Sequence, residues 1–203
     1  MATPQIPREP WIGSRTRPRY RKKMLEGGPF APVKLVCGVM SGVASAFETA
    51  ESVLANEFGP IDSSSEPFPF DLTTYYSNQM GEGLQRRFHS FERLIQPEDL
   101  SDIKLRTNRM EEDMRHRYSA GSRILNLDPG CLSGYSLVFG TTKNFAHRIP
   151  LNRGIYAHLE LIFSKDSIKA LDWTYPDFKS PRYHEWLWEA RRIYLTQHRT
   201  LEI

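Results

Sequence analysis

The chain has 203 residues, 39% apolar and 25% charged, with a formal net charge of +3, a globular composition at the length of one ordinary domain, with or without extensions. Its longest apolar runs, such as Leu35-Val36-Cys37, fall far below the roughly 18 residues that span a bilayer, and the first thirty residues hold no apolar block of signal-peptide type. Two cysteines, Cys37 and Cys131, have neither metal-ligand spacing nor the density of a secreted disulfide scaffold, so the expectation is a cytoplasmic protein with reduced thiols, no membrane and no metal site.

The charge is uneven. Residues 1–30 carry seven Lys or Arg against Glu9 and Glu26, a balance of +5 that leaves −2 for the rest. Residues 1–31 read as a basic, proline-bearing tail with too little apolar surface to offset its ordering entropy, hence disordered. Its stretch 15–23 is a candidate RNA contact through phosphates, set against a plain solvated tail.

A single α+β domain is expected over 32–203. Val33 to Met40 reads as a buried strand, and Val43, Phe47, Ala50, Leu54 and Phe58 recur at helical spacing before the Gly59-Pro60 stop. Ser63-Ser64-Ser65 reads as a loop, and the prolines around Phe68, Phe70 and Leu72 predict an edge or irregular strand. Residues 84–95 put apolar groups on both faces, as a strand inside a sheet does. Pro97, with Glu98, Asp99 and Asp102 after it, opens a helix that buries Leu100, Ile103, Met110 and Met114 and ends near Tyr118. Arg123 to Leu127 reads as a short strand, with Asp128-Pro129-Gly130 as the turn after it.

That order, strand-helix-strand-strand-helix-strand, predicts a ferredoxin-like core of two split βαβ units. The remainder predicts an added antiparallel meander: Leu137 to Gly140, His147 to Leu151, a turn at Asn152-Arg153-Gly154, Ile155 to Phe163, and Ile168 to Trp173. A C-terminal helix capped by Ser180-Pro181 follows.

The 152–154 turn decides what His147 and Arg148 meet, since a one-residue slip exchanges the faces of a strand. A two-residue loop pairs His147 with His158 and Phe145 with Glu160; a three-residue loop pairs Arg148 with His158 and Ala146 with Glu160. Both place a small polar patch opposite the apolar stripe of Ile155, Ala157, Leu159, Leu161 and Phe163. Such a patch binds an anion through Arg148 and Lys143, with His147 as proton donor or acceptor, or else is an exposed face of paired surface charges. Tyr75-Tyr76 and the segment Trp173 to Asp177 offer stacking surfaces for a flat ligand, or complete a core or interface. Arg86, Arg87, Glu92 and Arg93 also fit plain pairs on a strand face.

Several sharper motifs are missing. Gly140-Thr141-Thr142-Lys143 lacks the Gly-Lys-Ser/Thr order of a phosphate loop, His184-Glu185 has no second His four residues after the first, and no pair of His-x-Thr/Ser strands or Gly-x-Ser-x-Gly elbow occurs.

Collinear pieces between Pro32 and Tyr183 do form a pattern: Glu-Phe-Gly-Pro-Ile-Asp (57–62), Pro-Phe-Asp (69–71), Tyr75-Tyr76 with Met80-Gly81, Arg-x-Phe-x-Ser-Phe-Glu (86–92), Ile-Lys-x-x-Thr-Asn (103–108), Asn-Leu-Asp-Pro-Gly (126–130), Thr-Thr-Lys-x-x-x-His-Arg-Ile (141–149), Gly-Ile-Tyr (154–156) and Trp-Thr-Tyr-Pro-Asp (173–177). On these the chain resembles the uncharacterised prokaryotic family catalogued as domain of unknown function 4416. The resemblance implies no established activity. Thr74, Cys131 and Pro150 depart from the family pattern, which has Asp, Tyr and Tyr there, and the basic tail is an addition to it. Polar motif residues that match include Asp128, Lys143, His147, Arg148 and Asp177.

Three functions are therefore carried forward, with the cofactor unknown. The leading one binds an anionic ligand (nucleotide, phosphate or RNA end) in a strand-end pocket with Lys143, Arg148, Asn126, Thr142, Tyr76 and Asp177. Another is a hydrolase or transferase using His147 with Asp128 or Glu160 as acid and base. The last is a protein-interaction or scaffold domain, resting on the aromatic segments around Tyr75 and Trp173.

Overall fold

The computed structural model describes residues 28–73 and 76–201. The basic segment 15–23 and Tyr75 lie outside the described residues, so the expectations placed on them stay with the sequence. Among the described residues no helix is long and apolar enough to cross a membrane.

Residues 31–201 fold as an α+β unit around a nine-stranded sheet whose pairings are all antiparallel. Strand β1 (Val33–Ser41) is buried along its whole length, as the apolar run from Leu35 to Met40 predicts for a strand covered on both faces, and Lys34 is buried with it. Helix α1 (Ala44–Phe58) follows; it buries Ala46, Phe47, Ala50, Leu54 and Phe58 and stops at Gly59, whose φ of 96° suits a residue without Cβ.

Next come β2 (Ile61–Ser64), β3 (Phe68–Pro69), a short helix α2 (Ser77–Met80) and β4 (Gln85–Ile95). Ser63 and Ser64 are thus strand residues, a correction to the loop expected there. They pair with Ser90 and His89 of β4, and Trp186 Nε1 donates to Ser63 Oγ at 3.1 Å, contacts invisible to local propensity. A 3-10 turn at Pro97–Asp99 leads into α3 (Leu100–Arg117), with Glu98, Asp99 and Asp102 near its start and Arg115, His116 and Arg117 at its end.

Strand β5 (Asn126–Leu132) runs straight through Asp128-Pro129-Gly130. The turn expected there does not exist: Gly38, Cys37 and Val36 of β1 pair with Asp128, Pro129 and Gly130. Then follow β6 (Ser136–Thr141), β7 (Ile149–Pro150), β8 (Tyr156–Phe163), β9 (Ile168–Ala170), α4 (Pro176–Lys179) and, after a 3-10 turn capped by Ser180 Oγ, α5 (His184–Leu201). The strand expected from His147 is shorter and starts at Ile149. Ile149 pairs with Ala157 and Pro150 with Tyr156, the register of the three-residue loop, with Arg153 at φ 54° and Gly154 at φ 79°.

The sheet order is β2-β4-β1-β5-β6-β8-β7, with β3 on β4 and β9 on β8. Its faces carry separate cores. One gathers Leu35, Cys37, Val39, Phe91 and Leu127 with α1 and α3. The other gathers Val36, Phe88, Leu137, Phe139 and Leu161 with Phe178, Tyr183, Trp186 and Leu187. Each buried Leu or Phe in these layers contributes on the order of 1.5–3 kcal/mol.

Candidate functional site

The site begins with a separation of strands. β5 meets β6 only from Gly130 onward, opposite Phe139, so Asn126 to Pro129 have no β6 partner. Helix α3 supplies one instead: Lys104 Nζ donates to the Leu127 carbonyl at 2.7 Å, and the Leu127 amide donates to Glu111 Oε1 at 2.7 Å. Pro129, two residues on, points its missing N–H to the same unpaired side, which is why a proline is tolerated in this strand. Between the start of β5 and the diverging end of β6 a cavity of about 440 Å³ opens.

The register brings charge to its floor. Met40 of β1 pairs with Arg86 on one side and Asn126 on the other, which sets those two residues in one row. Arg86 is buried and ion-paired with Asp177, while its Nη2 lies 3.4 Å from Asp128 Oδ2. Burial opposes the charge of Arg86, but Asp177 and then Asp128 more than offset it, and the guanidinium stays firmly protonated. Asn126 Nδ2 donates to Asp128 Oδ2 at 2.7 Å, and Lys104 Nζ stands 3.8 Å from Asp128 Oδ1. Arg123 pairs with Glu111. The Arg86 guanidinium also lies over Phe70 and Phe178, at 4.8 and 5.5 Å from the ring centroids.

The far wall comes from the segment after β6. Thr141, Thr142 and Lys143 line the cavity, and Lys143 Nζ lies 5.6 Å from the Tyr76 ring centroid. Arg148 ties this wall together: it donates to the Lys143 carbonyl at 2.8 Å, to Tyr175 Oη at 2.8 Å and to His158 Nδ1 at 3.3 Å. Because an arginine only donates, His158 Nδ1 is an acceptor and its proton sits on Nε2. That Nε2 lies 2.7 Å from Glu160 Oε2, yet the N–H is not aimed along this line, so the contact is close in distance and poor in direction. The second oxygen, Oε1, accepts the Tyr175 amide at 2.8 Å.

Seven of the nine residues expected at the site line this one cavity: Asn126, Asp128, Thr142, Lys143, Arg148, Asp177 and Tyr76. His147 and Glu160 do not. His147 stacks on Trp173 with 6° between the rings, and its Nε2 lies 3.1 Å from His158 Nδ1, so it reaches Glu160 only through His158. The expected surface patch is also corrected: His158 and Glu160 are buried, at 1% and 0% exposure, because Thr174 Oγ1 and Trp173 Nε1 bond the β8 carbonyls and carry the 173–175 segment over this face. Partial burial, then His158 and Arg148, holds His147 below the ordinary histidine value, whereas burial raises Glu160.

Sequence reasoning did not assign Arg86, Lys104 or Arg123 to the site. Arg86 looked like a strand-face pair, although its spacing from Phe88 on an interior strand was a usable signal. The cysteines are buried and free, and burial pushes Cys131 up to about 12 and Cys37 higher still, so neither supplies a thiolate. Among the described residues no group of three or more His, Cys, Asp or Glu is placed to hold a metal ion.

The family model described as domain of unknown function (DUF4416) matches residues 31–194. Neither a search of curated proteins nor one of solved structures returns a match.

Proposed function

The chain belongs to the DUF4416 family, whose matched span contains the whole cavity, and from this premise we propose that the cavity binds an anionic small molecule such as a nucleotide, a phosphate compound or an RNA end. The observation that carries the reading is charge. Arg86, Lys104, Arg123, Lys143 and Arg148 line the cavity against Asp128 and Asp177. Arg86, Lys104 and Arg123 have carboxylate neighbours, whereas the three hydrogen-bond partners of Arg148 are all neutral acceptors. A positive surplus inside a concave, half-apolar space concentrates anions, and the volume falls within the range of small-molecule pockets.

Titration calorimetry with inorganic phosphate and with AMP tests this. Binding should weaken as salt rises, and Lys143→Gln should cost about tenfold in affinity, the order expected for one charged hydrogen bond. No heat and no thermal stabilisation with either compound would overturn the reading.

A second reading, a hydrolase or transferase with His147 and Asp128 or Glu160 as acid and base, draws support from the His147–His158–Glu160 chain of contacts. It predicts turnover of a phosphate ester that falls about a hundredfold in His147→Gln. Turnover equal in the variant and the parent would remove it.

Two finer readings go with the proposal. The order β2-β4-β1-β5, linked by α1 and α3, is what two split βαβ units produce and supports a ferredoxin-like core. Free, buried cysteines support a reducing, cytoplasmic setting.

A further inference from the structure

Beside the cavity runs a strip of aromatic side chains that neither core absorbs. Phe145 lines the cavity and is nonetheless 65% exposed. His147 lies next to it, with ring centroids 5.2 Å apart, and stacks in turn on Trp173, which is 38% exposed. The Trp173 indole is held in place, since its N–H donates to the Leu159 carbonyl at 2.8 Å. Exposed aromatic faces leading out of a cationic cavity form the pairing that single-stranded nucleic acids meet: positive charge for phosphates, π-faces for bases.

On this basis, and resting on the anion-binding reading above, we infer that the ligand is the end of a single-stranded nucleic acid. The terminal nucleotide enters the cavity, with its phosphate toward Lys143 and Arg148, and the next bases stack along Phe145 and Trp173. A free mononucleotide fills only the first of these places. The chemistry is non-covalent, and because π-faces read no base edge, base preference is weak.

The test compares AMP, the trinucleotide pApApA and an abasic trimer of equal charge, each titrated into the full chain. The trinucleotide should bind about tenfold tighter than AMP or the abasic trimer, the order of one stacked base. Trp173→Ala, at a ring outside the cavity lining, should remove most of that excess and leave AMP affinity unchanged, Phe145→Ala should lower trinucleotide affinity more than AMP affinity, and Trp173→Phe, which keeps a ring, should retain the excess. AMP binding with no gain for the trinucleotide overturns this inference and leaves the cavity reading standing, the strip then being a surface for a protein partner. An abasic trimer as tight as pApApA, or variants without effect on the excess, overturns it equally. Failure of phosphate, AMP and trinucleotide alike overturns the cavity reading and this inference with it.

Discussion

At the scale of single residues, the charged side chains divide by whether a partner comes from nearby in sequence or from afar. Arg86 and Asp177 are ninety-one positions apart, and nothing local marks them as an ion pair. Asp128 and Lys143, by contrast, announce themselves through the turn-forming and Thr-Thr-Lys motifs around them. His89 is a third kind, a buried histidine on an interior strand whose Nδ1 lies 2.8 Å from Ser64 Oγ. Burial first, then the charge of Arg87, lowers its pKa from 6.5 to about 4. An unfolded chain takes up this proton as pH falls below about 6.5, and the folded chain resists until about 4, so stability is complete above 6.5 and declines between 6.5 and 4, by up to about 3 kcal/mol. Urea unfolding at pH 7 and at pH 4.5 should show a smaller acid loss in His89→Gln than in the parent. Glu111 and Glu160, raised by burial, act in the opposite sense in both proteins and cancel in that difference. Equal losses would show that His89 does not carry the effect.

At the scale of elements, the informative case is β5. Its Asp-Pro-Gly sequence carries the marks of a turn, and the structure makes it strand because α3 satisfies the backbone that β6 leaves unpaired. The glycine then has a packing reason. A Cβ at Gly130 would stand 2.7 Å from the Phe139 ring and 3.0 Å from the Val138 carbonyl. Gly130→Ala should therefore push Phe139, a cavity-lining residue, off its place and destabilise by about 1–3 kcal/mol. A denaturation midpoint lowered together with weaker ligand affinity is the expected outcome, and an unchanged midpoint would refute it. The 152–154 turn is a milder case: the sequence narrowed the register to two, and positive φ at Arg153 and Gly154 selected the one that sets Arg148 opposite His158.

At the scale of the molecule, α5 decides how much of the sheet is covered. Trp186 stacks on Phe88 at 5.2 Å, Arg191 Nε donates to the Gly134 carbonyl at 3.0 Å, and Tyr194 Oη to that of Pro32 at 3.2 Å. Lys34 is the deepest of these ties. Fully buried, it donates to Asp62 Oδ2 at 2.5 Å, to the Phe91 carbonyl at 2.9 Å and to Gln197 Oε1 at 2.8 Å, so that β1, β2, β4 and α5 share one ammonium. Lys34→Met leaves the largely buried carboxylate of Asp62 with Ser90 alone and should cost about 3–5 kcal/mol. Faster amide exchange along α5 should accompany the loss. Full protection in the variant would count against this role.

What the sequence determined by itself was the part of the fold set by local periodicity, together with the family. The helices at 44–58, 100–117 and 184–201, the buried run of β1, the interior character of β4 and the family all follow from side chains within a few positions of one another. Part of the candidate site was legible for the same reason, since Asn126, Asp128, Thr142, Lys143 and Arg148, which line the cavity, sit in compact motifs. Only the tertiary structure decided that β5 passes through Asp-Pro-Gly, that His158 and Glu160 lie under the Trp173–Tyr175 segment, and that Arg86, Lys104 and Arg123 join the cavity. Each of those facts depends on a partner more than ten residues away, and long-range pairing is settled by the satisfaction of buried polar groups and by packing, which no local window contains.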